Sequence, residues 1–144
     1  MSIPARPLRG YRALIVEDDG LFALAMTEML ADLGCVIVDV APGLARALAA
    51  AEFHELDLAV VDGNLGDEKA FRVAHMLMAR EVPFVFATGA GRTAIPPGFG
   101  DVPSLAKPFT AHQLETALVA LVRKDADRDD PRAGHAPDSK VARC

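Results

Sequence analysis

The chain has 144 residues, 51% hydrophobic and 24% charged, which fits one globular domain and argues against two. Acidic residues outnumber basic ones 20 to 15, a balance that excludes a basic nucleic-acid surface and a polybasic membrane patch as default partners. The excess is localised: Arg12 to Arg123 holds eight basic and fifteen acidic residues, a net charge of −7, whereas five basic residues cancel five acidic ones from Lys124 to Cys144.

Residues Met1 to Pro7 lack the apolar run of a signal peptide, and no stretch reaches the ~18 consecutive apolar residues of a membrane span, so a soluble, cytoplasmic protein with no membrane partner is expected. Residues 1–11 read as an N-terminal extension. The first strand is expected over Ala13 to Val16, followed by a helix over Leu21 to Leu33 for which Asp19 is a candidate cap. A second strand, Cys35 to Val40, precedes a helix over Leu44 to Phe53 that opens after Pro42 and carries Leu44, Ala47, Leu48 and Ala51 on one face. The third strand is Leu58 to Val61. Its helix, Glu68 to Arg80, places Ala70, Val73, Ala74, Leu77 and Met78 on one face, with Asp67 as the expected cap. Met26, Met29, Met76 and Met78 are read as core filling. Strand four is Val82 to Ala87 and strand five Val102 to Ala106. The last helix opens on Thr110-Ala-His-Gln113, a capping-box pattern, and buries Leu114, Ala117, Leu118, Leu121 and Val122.

Strands rich in Val, Ile and Phe alternating with Ala/Leu-rich helices predict βα units and a parallel sheet. One unit departs from that rhythm. The 18 residues between Thr88 and Lys107 hold four glycines and three prolines, so an irregular connection with at most a turn of helix near Thr93 to Ile95 is expected, and the fourth helix should be shortened or missing. After Arg123 the composition turns to Asp, Arg, Ala, Pro, Gly and Ser, and residues 124–144 are expected to form a disordered charged tail. Cys35 and Cys144 provide neither a disulfide framework nor a CxxC metal site and are read as free thiols. His54, His75, His112 and His135 share no ligand spacing.

Parallel α/β sheets bind ligands beyond the C-terminal ends of their strands. There the chain places Glu17-Asp18-Asp19 after strand one, Asp62 after strand three, Thr88 after strand four and Lys107-Pro108 after strand five. Two carboxylates about 4 Å apart repel by ~4 kcal/mol at an effective dielectric near 20, so this set requires counter-charge. Lys107 supplies one charge. Oxygen ligands without His or Cys favour a hard divalent ion, Mg²⁺ above others. Metal, hydroxyl and ammonium together suit a phosphoryl group, with Asp62 placed as an oxygen nucleophile.

In the order acidic doublet, Asp, Thr, Lys-Pro-Phe, the region Arg12 to Arg123 resembles a response-regulator receiver domain. The resemblance implies a flavodoxin-like (βα)5 α/β fold with a five-stranded parallel sheet in the order 2-1-3-4-5. It implies that Asp62 accepts a phosphoryl group from a histidine kinase or phosphotransfer protein, that Asp18 binds Mg²⁺ directly, and that Glu17 acts through a metal-bound water. The backbone carbonyl of Asn64 would be a further ligand, Thr88 and Lys107 would contact the phosphoryl group, and the Lys107-Pro108 bond would be cis. Receivers usually carry an aromatic residue three positions before the Lys; here that position is Ser104. Phe86-Ala87-Thr88-Gly89 with Arg92 resembles the FAT-GUARD subgroup of single-domain receivers, although Gly91 and Thr93 depart from its motif.

The function expected is that of a stand-alone response regulator, not an enzyme, which signals to a downstream protein of unknown identity or serves as a phosphate sink. Two other readings stand beside it. A phosphohydrolase of the haloacid-dehalogenase type would have a second Asp two residues after the nucleophile, where this chain has Asn64. The other is a phosphorylation-independent binding module.

Overall fold

The computed structural model describes residues 6–63, 67–89, 95 and 98–128. Five strands, β1 (Arg12–Val16), β2 (Val36–Ala41), β3 (Leu58–Asp62), β4 (Phe84–Thr88) and β5 (Ser104–Ala106), form one sheet in the order β2-β1-β3-β4-β5. Every pairing is parallel. Among the described residues there are four helices: α1 (Gly20–Asp32), α2 (Leu44–Phe53), α3 (Asp67–Ala79) and α4 (Ala111–Arg128). This is the flavodoxin-like receiver architecture expected. Because β1 lies between β2 and β3, the chain reverses direction of travel across the sheet there, which opens a crevice at the ends of β1 and β3.

Strand alternation divides the core in two. Leu14, Val16, Ala59, Val61, Phe84 and Phe86 face one way and pack with α2 and α3, while Ala13, Ile15, Leu58, Val60, Val85 and Ala87 face the other and meet α1 and α4. Every residue of β3 and β4 is buried, which explains why both read as unbroken apolar runs. The Asp19 carboxylate caps α1 by accepting from the N–H groups of Leu21 and Phe22. The Thr110 hydroxyl accepts from the Gln113 N–H at 3.0 Å and the Gln113 side chain accepts from the Thr110 N–H at 2.8 Å, closing the expected capping box.

Several boundaries differ from the sequence reading for local reasons. Strand β4 begins at Phe84, after Pro83, which has no N–H to give; its carbonyl still accepts from Ala59. Strand β5 begins at Ser104 because the Val102 N–H turns back to the Phe99 carbonyl and Pro103 has no donor. Helix α4 continues to Arg128, five residues into the segment assigned to the tail. Met78 is 51% exposed, so it does not fill the core; it sits at the rim of the buried stripe formed by Ala70, Val73, Ala74 and Leu77.

Two regions contribute more core than their composition suggested. In the Gly/Pro-rich connection, Phe99 and Val102 are buried against the α2 and α3 face. The Phe99 ring lies 5.7 Å from Phe71, 6.3 Å from Phe84 and 6.4 Å from Phe86, and so covers part of that sheet face. Residues 90–94 and 96–97, including the proposed helical turn near Thr93 and the Arg92 position, lie outside the described residues.

At the other end of the chain, Leu8 is fully buried in the α1 and α4 core. Its N–H donates to the Leu33 carbonyl at 3.0 Å and the Gly10 N–H donates to Gly34 at 2.9 Å. Gly34 has φ +97°, and a Cβ there would lie 2.7 Å from the Cα of Arg9, so only glycine permits this approach.

Candidate functional site

Two neighbouring strand ends bring the acids together. The last paired positions of β1 and β3 are Val16 and Val61, and Glu17 and Asp62 follow them directly. Both carboxylates are buried, and Glu17, Asp18 and Asp62 each offer an oxygen within 4.8 Å of the others. Asp18 is exposed and forms the outer wall of the cluster. The Asp19 N–H donates to Glu17 Oε2 at 3.1 Å, so the turn that starts α1 also holds the Glu17 carboxylate.

Lys107 enters from the end of β5. Its backbone N–H donates to the Thr88 carbonyl at 2.7 Å, and the Lys107-Pro108 bond is cis. The ammonium lies 2.8 Å from Glu17 Oε1 and 3.2 Å from Asp62 Oδ1, bridging the two acids. Burial pushes the Glu17 carboxyl above its ordinary range; the Lys107 hydrogen bond opposes this, and the nearby charge of Asp62 adds to it. For Lys107, burial acts to lower the pKa, but the hydrogen bond to Glu17 and the charge of Asp62 outweigh it and hold the ammonium above its usual value.

Thr88 follows Ala87, which pairs with Asp62 across β3 and β4. Its hydroxyl is buried and has no hydrogen-bond partner among the described residues. A buried polar atom left in this way is costly unless a ligand satisfies it.

The expected site residues Glu17, Asp18, Asp62, Thr88 and Lys107 thus all lie at one edge of the sheet. Asn64, expected to contribute a backbone carbonyl, lies outside the described residues. Ser104 is in β5, paired with Phe86. Cys35 is a free thiol, buried and far along the chain from this edge; burial and the charge of Asp57 push it up to about 11, which leaves it unreactive.

The sequence reading missed the aromatic side of the site. The Lys107 ammonium sits 4.4 Å from the centroid of the Phe22 ring, and Phe22 packs edge-to-face on Phe109 at 5.4 Å. The available signal was the spacing: Phe22 occupies the first turn of the helix that follows the acidic doublet, and Phe109 completes Lys-Pro-Phe.

The acidic cluster fits a hard divalent cation in both ligand chemistry and closeness, and Lys107 answers part of its charge. Among the described residues no helix is long and apolar enough to cross a membrane.

The chain is 28% identical over 123 residues to the transcription factor SKN7 of Saccharomyces cerevisiae; the match covers 80% of this chain but only 19% of that protein's length. It is 41% identical to SdrG from Sphingomonas melonis Fr1, covering 78% of this chain and 97% of that one, with a TM-score of 0.70 against its solution structure. Against the BeF3-activated conformation of SdrG from Pseudomonas melonis Fr1 the identity is 40%, the coverage 83% and 99%, and the TM-score 0.67. Residues 13–119 match the response regulator receiver domain, and with five parallel strands in the order β2-β1-β3-β4-β5 the chain belongs to that family.

Proposed function

We propose that this receiver is a phosphoacceptor of a two-component or phosphorelay system, with Asp62 as the phosphorylated residue. The observation that carries the reading is the Lys107 ammonium bridging Asp62 and Glu17 beside a buried Thr88 hydroxyl that has no partner among the described residues. An Asp62 oxygen attacks the phosphorus of a phosphohistidine on a kinase or phosphotransfer protein. The P–N bond breaks, the imidazole leaves with the electron pair, and an acyl phosphate forms on Asp62. Lys107 then pairs with the phosphoryl oxygens, and the Thr88 hydroxyl donates to one of them, meeting its own hydrogen-bonding need.

Mg²⁺ is the proposed cofactor, held by Glu17, Asp18, Asp62 and the backbone carbonyl of Asn64. It would supply charge neutralisation to the transferring group. The chain is proposed to signal, not to turn over a small substrate, and to pass its state to a downstream protein or to drain phosphoryl groups from a relay. The near-complete span of SdrG in the comparison supports a single-domain mode of action.

The test is incubation with acetyl phosphate and Mg²⁺ followed by intact-mass analysis. Wild type should gain one acid-stable, base-labile phosphoryl group, and Asp62→Asn should gain none. An undiminished adduct on Asp62→Asn would overturn the assignment, and multiple turnover of a phosphoester that is lost in Asp62→Asn would favour a phosphohydrolase instead.

A further inference from the structure

Among the described residues, three groups are seen against the Lys107 ammonium, and two of them are acids. Glu17 and Asp62 approach at 2.8 and 3.2 Å, and the Phe22 ring lies 4.4 Å away. The ring face carries the negative part of an aromatic quadrupole and attracts a cation, the more strongly where water is scarce. Water is scarce here, since the side chains of Lys107, Glu17 and Asp62 are 17%, 0% and 2% exposed.

The ring is itself fixed from two sides. Its backbone N–H is held by the Asp19 carboxylate at 3.3 Å, and its edge meets Phe109 at 5.4 Å, two residues beyond Lys107. The short segment that leads into α1 and its first turn therefore set the acidic wall at Asp18, the cap at Asp19 and the aromatic seat at Phe22.

We infer that Phe22 is a positioning residue for Lys107, holding the ammonium at the mouth of the acidic site so that an incoming phosphoryl group meets a cation already in place. The inference rests on the phosphoacceptor reading. In the reaction with acetyl phosphate, the Asp62 carboxylate attacks phosphorus, the P–O bond to the acetyl group breaks, and acetate leaves with the electron pair. Phe22 touches none of these atoms; it acts by restricting where Lys107 Nζ can be. When a metal or phosphoryl group competes for the carboxylates, the ring remains as the contact that does not compete.

The test compares Phe22→Leu, which keeps an apolar side chain but removes the aromatic face, with Phe22→Tyr, which keeps it. Two readouts are taken on the full chain. The first is the rate of adduct formation with acetyl phosphate and Mg²⁺. The second is proton exchange of the Lys107 ammonium in ¹⁵N-lysine-labelled protein without Mg²⁺ or phosphodonor, the signal being assigned by its absence in Lys107→Met. Phe22→Leu should slow the adduct about tenfold, equivalent to ~1.4 kcal/mol, and speed ammonium exchange by a similar factor, whereas Phe22→Tyr should stay within about threefold on both.

Exchange in Phe22→Leu equal to wild type, or equal losses in both variants, would overturn the inference. If wild type forms no adduct, the phosphoacceptor reading fails, and the exchange comparison alone still decides whether Phe22 holds Lys107. If Phe22→Leu does not fold, Phe22→Met serves in its place.

Discussion

The buried Thr88 hydroxyl, with no partner among the described residues, costs the folded protein stability. Thr88→Val keeps the shape of the side chain and removes a buried donor that has no partner among the described residues. It should raise the unfolding free energy of the unmodified protein by about 1 kcal/mol in urea titrations while shortening the lifetime of the Asp62 adduct. Lys107 behaves in the opposite way. Lys107→Ala leaves Glu17 and Asp62 buried and facing each other, so a loss of about 3–5 kcal/mol is expected at neutral pH, with partial recovery on adding Mg²⁺, as read by thermal unfolding with and without the ion. At this scale most of the site was legible in the sequence. Glu17, Asp62, Thr88 and Lys107 each follow a segment read as a strand, and their joint placement at successive strand ends singled them out. Phe22 was not legible, because an aromatic residue at a helical spacing reads as core until the group opposite it is seen.

Among the elements, the N-terminal segment is the one whose importance composition concealed. Leu8 stands outside any periodic pattern, so nothing in the sequence separated it from a loose extension, yet it is fully buried beneath α1 and α4. Leu8→Ala should cost about 2–4 kcal/mol in chemical denaturation. Gly34→Ala should destabilise as well, because it combines a positive φ with a Cβ in collision with the Arg9 backbone. The end of α4 was hidden for a related reason. Lys124 to Arg128 is polar enough to read as a tail, but it contains no Gly or Pro to stop the helix, which therefore continues. The irregular composition of the fourth unit was visible in its glycines and prolines. What could not be read there was that Phe99 returns to shield the sheet.

For the whole molecule, pH dependence follows from groups whose shifts oppose one another. Glu17 is raised above its ordinary value of 4.5, so the native state holds its proton more tightly than the unfolded chain does. Its contribution is greatest below that value and declines as pH rises through the raised one. Asp39 is held below its ordinary range by the Arg46 hydrogen bond, and its contribution is present above about pH 4 and lost as the pH falls through its lowered value. Lys107 is raised above 10.5, and what it contributes is complete below that pH and lost as the pH climbs through its raised value. Urea midpoints measured across pH should therefore fall at the alkaline end, and the fall should be smaller in Lys107→Met. The two-sided core follows from alternation, because each strand residue is assigned to a face by parity alone, whereas the strand order was implied by the resemblance to receivers and not by spacing.

That parity has a further consequence for the acids at the ends of β1 and β3. Glu17 and Asp62 are aligned by the same pairing that places Val16 beside Val61. A slip of one residue in β3 would misalign Asp62 and also turn Leu58, Ala59, Val60 and Val61 towards the wrong layers. Such a slip would not leave a stable fold with a misaligned acidic pair, since the error that parts the acids also removes the packing. The register that builds the core is thereby the register that builds the site.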